Sequence, residues 1–236
     1  MLHDLCKFVG LKKKTMDCVD RFKAIRGKIS PEIKIVAVSK TKPASLIDQL
    51  YLDAGHRIFG ENKAQELSQK HSLLPKDIEW HFIGHLQTNK IKNIAPYVSM
   101  IQSVDSFKLL IEINKEAKKL NRVIPYLIQF HIATEETKYG FSIEEAKSMC
   151  DDPLFIGLSN VLPCGVMGMA TFIDDESVIR KEFRTLKNYY QILKTSYFNQ
   201  QADFCEISMG MSDDYKIAIS EGSTIVRIGS GIFGGR

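Results

Sequence analysis

The sequence predicts a single parallel (β/α)8 TIM-type barrel with an additional N-terminal helix. Three observations carry that reading. Short β-rich runs alternate with amphipathic segments from end to end, and eight such runs can be counted. The runs are mostly unbroken by charge, as parallel strands covered on both faces require. No Pro/Gly/Ser-rich linker, repeat or low-complexity segment divides the 236 residues, so residues 1–236 read as one domain. Barrels of about 250 residues routinely fold as one unit. The alternation favours a closed barrel, although by itself it leaves a doubly wound sheet open.

The elements follow in order. Met16, Val19, Phe22 and Ile25 share one face of a first helix, expected to cover the barrel where a helix after strand eight would sit. The candidate strands are Ile33–Val38, Arg57–Gly60, Trp80–Gly84, Val98–Val104, Val123–Phe130, one strand within Leu154–Met167, Phe204–Ser208 and Thr224–Ile228. A helix starts near Asp105 or Ser106, either a good N-cap, and runs to Leu120. Ile179, Phe183, Leu186, Tyr190, Leu193 and Tyr197 are spaced to form one apolar stripe along a long helix.

Composition narrows the function classes. With 44% hydrophobic and 25% charged residues the chain is an ordinary globular protein, and a net charge of +4 is too small and dispersed to argue for nucleic acid. The densest basic run, Lys12, Lys13 and Lys14, reads as a solvated helix face. Five cysteines without a C-x-x-C pair read as thiols of a reducing compartment. No signal h-region or membrane-spanning stretch is found, so a cytoplasmic protein is expected. His81 and His85 have metal-like spacing but bring no third ligand, and no metal is expected.

In such barrels the active face is built from the loops after the strands, and phosphate is commonly held after strands seven and eight. Ser208-Met209-Gly210-Met211-Ser212-Asp213-Asp214 follows strand seven, with a helix start expected near Ser212, and Gly229-Ser230-Gly231 follows strand eight. Glycines let backbone amides approach an anion, and hydroxyls add donors. The spacing of Gly229, Gly231 and Gly234 matches the dinucleotide fingerprint, yet only two residues follow, too few for its crossover helix. At the end of strand one, Lys40 and Lys42 share a facing, and parity cannot choose between them. A partly desolvated lysine there becomes a nucleophile towards aldehydes. Lys42 precedes Pro43 and is expected to be the more exposed. Arg227, inside strand eight, is either a barrel-facing cation for a ligand or half of a structural ion pair.

Taken together, Ala37–Lys42, Phe59–Asn62, Trp80–Lys90, Ser103–Ser106, Glu136–Phe141, Met167–Met169, Ser208–Asp214 and Val226–Gly234 resemble the pyridoxal phosphate homeostasis protein family, related to the N-terminal barrel of alanine racemase. The resemblance implies that pyridoxal 5'-phosphate is held as a Schiff base on Lys40. It implies that Ser208, Gly229 and Ser230 hold the phosphate, with Met209 adjoining, that Arg227 faces the pyridine nitrogen, and that Asn62 lies near the cofactor. His131 and Gln102 depart from the family's usual residues, leaving the contacts to the sides of the ring less defined. The function implied is intracellular supply of the cofactor by a monomer without catalytic residues, with apo-enzymes as the receiving partners. A pyridoxal phosphate-dependent racemase or decarboxylase is the first alternative, and an aldolase using a lysine Schiff base the second. A racemase needs a second base opposite the lysine; no tyrosine, Tyr139 included, is placed there by spacing, and the chain stops six residues after Ser230.

Overall fold

The computed structural model describes residues 16–134 and 139–235. Cys6, the run Lys12, Lys13, Lys14, and Glu136, Thr137 and Lys138 of the motif before Phe141 lie outside them. Helix α1 (Cys18–Arg26) precedes β1 (Lys34–Val38), α2 (Ala44–Ala54), β2 (Ile58–Glu61), α3 (Ala64–Leu73) and β3 (Glu79–Phe82). A 3-10 turn at Thr88–Lys90 leads into α4 (Ile91–Ile94), β4 (Met100–Val104), α5 (Phe107–Lys119) and β5 (Ile124–Gln129). Then come α6 (Ile143–Asp151), α7 (Pro153–Ile156), β6 (Val161–Met167), α8 (Glu176–Ser196), β7 (Glu206–Ser208), α9 (Tyr215–Ser220), β8 (Ile225–Ile228) and α10 (Ser230–Phe233). The strands are parallel and close in sequence order, β8 returning to β1 with Lys34 opposite Ile225 and Ala37 opposite Ile228. The expected closed barrel is the observed one.

Both faces of the strands are covered, which is why they read as unbroken apolar runs. Val36, Met100, Leu127, Cys164, Met167 and Ile225, all strand residues, fill the barrel's interior. Ile35, Ala37, Phe59, Trp80, Phe82 and Ile101 point the other way and pack with helix residues such as Leu50, Leu67, Leu110 and Phe183. Burying each large side chain of this outer layer contributes about 1.5–3 kcal/mol. The predicted stripe on α8 is its core face: Ile179, Phe183, Leu186 and Leu193 are buried, while Tyr190 is half-buried and donates its hydroxyl to the Phe204 carbonyl at 3.2 Å. Ser106 is the N-cap of α5, accepting from Leu109 N.

Helix α1 begins at the Asp17 cap and buries Val19 and Phe22. It packs against α2 and α10, thereby filling the outer ring between the first and last strands as expected. Arg21 fastens it there by donating to the Ile232 carbonyl at 2.6 Å.

Strands four and seven start two residues later than the sequence reading, at Met100 and Glu206, and three further boundaries differ for identifiable reasons. The 154–167 run opens with α7, because Pro153 at N1 behind the Asp152 cap starts a helical turn, and its strand begins only at Val161. Within β6, Gly165 has φ +148 and lies so close to Glu206 that a Cβ would meet its carbonyl oxygen at 1.9 Å. Strand three ends at Phe82, before Gly84, whose backbone approaches Asn62. Third, no helix starts at Ser212. The Asp214 carboxylate accepts from Met211 N, and α9 begins only at Tyr215. Among the described residues no helix is long and apolar enough to cross a membrane.

Candidate functional site

A cavity of about 310 Å³ opens at the carboxyl end of the barrel, at the lower end of the range for small-molecule sites. Val38, Ile83, Met169, Phe172 and Met211 supply its apolar wall; Lys40, Asn62, Ser212, Arg227, Gly229 and Ser230 supply the polar one. Five of the seven residues expected at the site therefore meet here: Lys40, Asn62, Arg227, Gly229 and Ser230.

Lys40 sits in a turn closed by Lys42 N donating to the Ser39 carbonyl at 3.0 Å. Thr41, next in the turn, has φ +64, an uncommon conformation for a β-branched residue. Among the described residues the Lys40 ammonium has no hydrogen-bond or ion-pair partner. Lys42, by contrast, donates to the carbonyls of Gly234 and Gly235 at 3.1 and 2.9 Å. Those carbonyls break the tie that strand parity left: Lys40 is the free amine of the cavity.

Asn62 follows β2 and is held by the close approach of Gly84, where a Cβ would come within 2.3 Å of the Asn62 carbonyl oxygen. Its Oδ1 is buried without a hydrogen-bond partner among the described residues. A buried acceptor left unpaired costs about 1–3 kcal/mol. A ligand with a hydroxyl or N–H directed at it removes that cost.

Arg227 points into the barrel, as one of its two sequence readings required. Its ligands are not carboxylates: Nη1 donates to Ser208 Oγ at 2.6 Å and Nη2 to the Gly168 carbonyl at 2.9 Å. Burial lowers its pKa to about 10, with Asp214 opposing, so it stays cationic at neutral pH. Because guanidinium only donates, the rest of the chain has one direction. The Ser208 hydroxyl passes its hydrogen to Gln102 Oε1 at 2.7 Å, and Gln102 Nε2 donates to His81 Nδ1 at 2.8 Å. Burial takes the His81 pKa down to about 3, so the imidazole is neutral with its proton on Nε2.

Ser208 and Met209, the other two residues expected at the site, lie beside the cavity rather than on its wall. Ser208 is fully buried and its hydroxyl is committed on both sides to Arg227 and Gln102. Met209 is fully buried too, and its amide is used by the Ile225 carbonyl at 3.1 Å. The two-residue strand period directs Ser208 inward beneath the floor, one layer too deep. Ser212 takes the place expected of Ser208: its Oγ lies on the cavity wall and accepts from the amides of Gly229 and Gly231 at 3.2 and 3.1 Å. Two converging amides beside a hydroxyl form a cradle for an anionic oxygen.

The histidine pair does not converge. His81 is inside the barrel, whereas His85 is exposed, pairs with Asp105 at 2.8 Å and stacks on Tyr139 at 4.0 Å between centroids. In the sequence Gln102 stands out only as a departure beside the ring and His81 only as a metal ligand, although both are polar positions of inward parity.

Residues 18–236 match the family model of the alanine racemase N-terminal domain. A pyridoxal phosphate homeostasis protein of Aquifex aeolicus is 39% identical over 204 residues, covering 86% of this chain and 87% of that one. PipY of Synechococcus elongatus, solved with pyridoxal phosphate bound, superimposes with TM-score 0.83 at 30% identity, over 92% of this chain and all of that one. Alanine racemase of Bartonella henselae, at 16% identity and TM-score 0.69, shares the barrel over 92% of this chain and 58% of its own. The chain belongs to the alanine racemase N-terminal domain family and, within it, to the pyridoxal phosphate homeostasis proteins.

Proposed function

We propose that this chain binds pyridoxal 5'-phosphate reversibly through Lys40 and serves the supply of that cofactor in the cytoplasm, as a one-domain monomer that releases it to apo-enzymes. The observation that carries the reading is one cavity lined by an unpaired lysine, a donor-only cation and the Ser212 hydroxyl on which two amides converge. When bound, the cofactor supplies an aldehyde that condenses with an amine.

Each end of the cavity has its role. The amides of Gly229 and Gly231, with the hydroxyls of Ser212 and Ser230, receive the phosphate, Ser212 Oγ turning from acceptor to donor. Asn62 Oδ1 accepts from the ligand. Arg227 donates to the ring nitrogen, with Ser208 supporting it from beneath and Met209 only backing the floor. A cation that cannot accept a proton keeps that nitrogen unprotonated, which weakens the ring as an electron sink. This supports storage and delivery over amino-acid turnover.

The test is the visible spectrum of the purified protein before and after added pyridoxal phosphate, followed by hydride reduction and peptide mapping. The expected result is a new visible band and a reduced adduct on the Lys40 peptide. No band, or an adduct elsewhere, overturns the reading.

A further inference from the structure

Beneath the turn that presents Lys40 lies a buried ion cluster that ligand binding leaves unused. Lys70, on α3, is 5% exposed, and its ammonium donates to the Ser39 carbonyl at 2.8 Å, Glu61 Oε1 at 2.7 Å and Glu66 Oε1 at 2.7 Å. All three of its hydrogens are thereby committed. The two carboxylates reach back to the same turn. Glu61 Oε1 accepts from Ser39 Oγ at 2.7 Å, and Glu66 Oε1 accepts from Thr41 N at 2.6 Å. The residues on either side of Lys40 are therefore gripped by one cluster, while Lys40 itself is left free.

Buried charges of this kind are a poor source of stability, since their desolvation offsets much of their attraction. Glu61 shows the cost: its Oε2 is buried without a partner, and burial raises its pKa against the pull of Lys70 and Ser39. What the cluster does achieve is geometric. Thr41 holds a left-handed conformation that a β-branched residue does not adopt unaided, and such conformations persist where the surroundings over-determine them. The Glu66–Thr41 and Lys70–Ser39 bonds are those surroundings.

We propose that Lys70, Glu61 and Glu66 are positioning residues that hold the Lys40 turn and so set the rate of its condensation with an aldehyde. The inference rests on the reading of the cavity given above. In the step concerned, the lone pair of neutral Lys40 Nζ adds to the aldehyde carbon. The carbonyl oxygen leaves as water carrying both amine hydrogens, and a C=N bond remains. The cluster touches none of these atoms. It limits the arc through which Nζ swings, and small displacements of a reacting atom are expensive in rate.

The test separates covalent rate from binding. Growth of the visible band after mixing with pyridoxal phosphate gives the rate. Pyridoxine 5'-phosphate, which carries an alcohol in place of the aldehyde, gives the affinity of the cavity without the covalent step. Glu66→Ala and Lys70→Met are expected to slow band growth by about tenfold to a hundredfold, the equivalent of one lost charge-assisted hydrogen bond. Affinity for pyridoxine phosphate should change by less than about threefold, and Glu66→Gln, which keeps the acceptor for Thr41 N, should recover most of the rate. Half-buried Glu66 keeps the test decisive if Lys70→Met does not fold. Unchanged rates in Glu66→Ala, or rate and affinity falling in parallel, overturn the positioning role. Absence of any covalent band in the unsubstituted protein is a different result, which removes the cavity reading itself.

Discussion

Arg227 and Ser208 are joined by a 2.6 Å hydrogen bond beneath the floor of the cavity, in a chain that runs on through Gln102 to His81. The serine that the sequence offers as a phosphate ligand is bonded on both sides, to this cation and to Gln102. Ser208→Ala should therefore leave one Arg227 hydrogen and Gln102 Oε1 unpaired, costing about 1–3 kcal/mol of folding stability. Ser230→Ala and Ser212→Ala should instead lower cofactor affinity by about tenfold to a hundredfold with little change in stability. Denaturant melts and spectral titrations of the three variants distinguish the roles; a stable Ser208→Ala protein that has lost phosphate affinity would reverse them.

Lys40→Ala should abolish the visible band and the reducible adduct while the barrel stays folded, because no contact of its ammonium holds the structure together. Lys42→Ala should keep both, since that ammonium is spent on Gly234 and Gly235. An adduct that survives in Lys40→Ala, or disappears only in Lys42→Ala, means that the lysines have been exchanged.

Gly84→Ala should weaken cofactor retention, because the new Cβ would lie 2.3 Å from the Asn62 carbonyl oxygen and force that segment to move. Gly157→Ala is the control: its nearest contact is 3.5 Å, an ordinary van der Waals distance. Equal affinity in the two variants, measured by spectral titration, would remove Asn62 from the site.

Acid should destabilise the fold through buried His81 and half-buried His56. Burial lowers His56 to about 4 and His81 to about 3 from 6.5. A histidine whose folded pKa is depressed binds its proton only on unfolding, so stability is lost as pH falls below 6.5 towards the folded values. Each such histidine contributes up to about 1.4 kcal/mol per pH unit in that window. His56→Gln, remote from the cavity, should reduce the slope of unfolding free energy between pH 6 and 4.5 by about that amount. An unchanged slope in urea titrations would show that His56 is not kept neutral by the fold.

Alanine racemisation should stay below about 1 s⁻¹, the lower end for ordinary enzymes. Racemisation calls for a base on each face of the substrate carbon, and Tyr139 is 58% exposed and stacked on His85, off the cavity wall. Faster turnover of L- to D-alanine, lost in Lys40→Ala, would make the chain an enzyme.

Local pattern was enough to show the alternation of strands and helices, the burial of strands on both faces, and the stripe along α8, because each depends on neighbours within a turn or two. It also singled out Lys40 and Lys42 at the end of strand one and the glycines after the last strands as candidates. Tertiary closure decided the rest. Lys40 and Lys42 share a facing, and only the carbonyls of Gly234 and Gly235, brought beside strand one by the closed ring, tell them apart. Ser208 and Ser212 belong to one short run, and only the closed ring shows which hydroxyl lines the cavity and meets the amides of Gly229 and Gly231. Gln102 and Ser208 meet across the barrel from 106 residues apart. Hydrogen-bond partners of that separation are set by which strands face each other across the interior, a relation that periodicity along the chain does not carry.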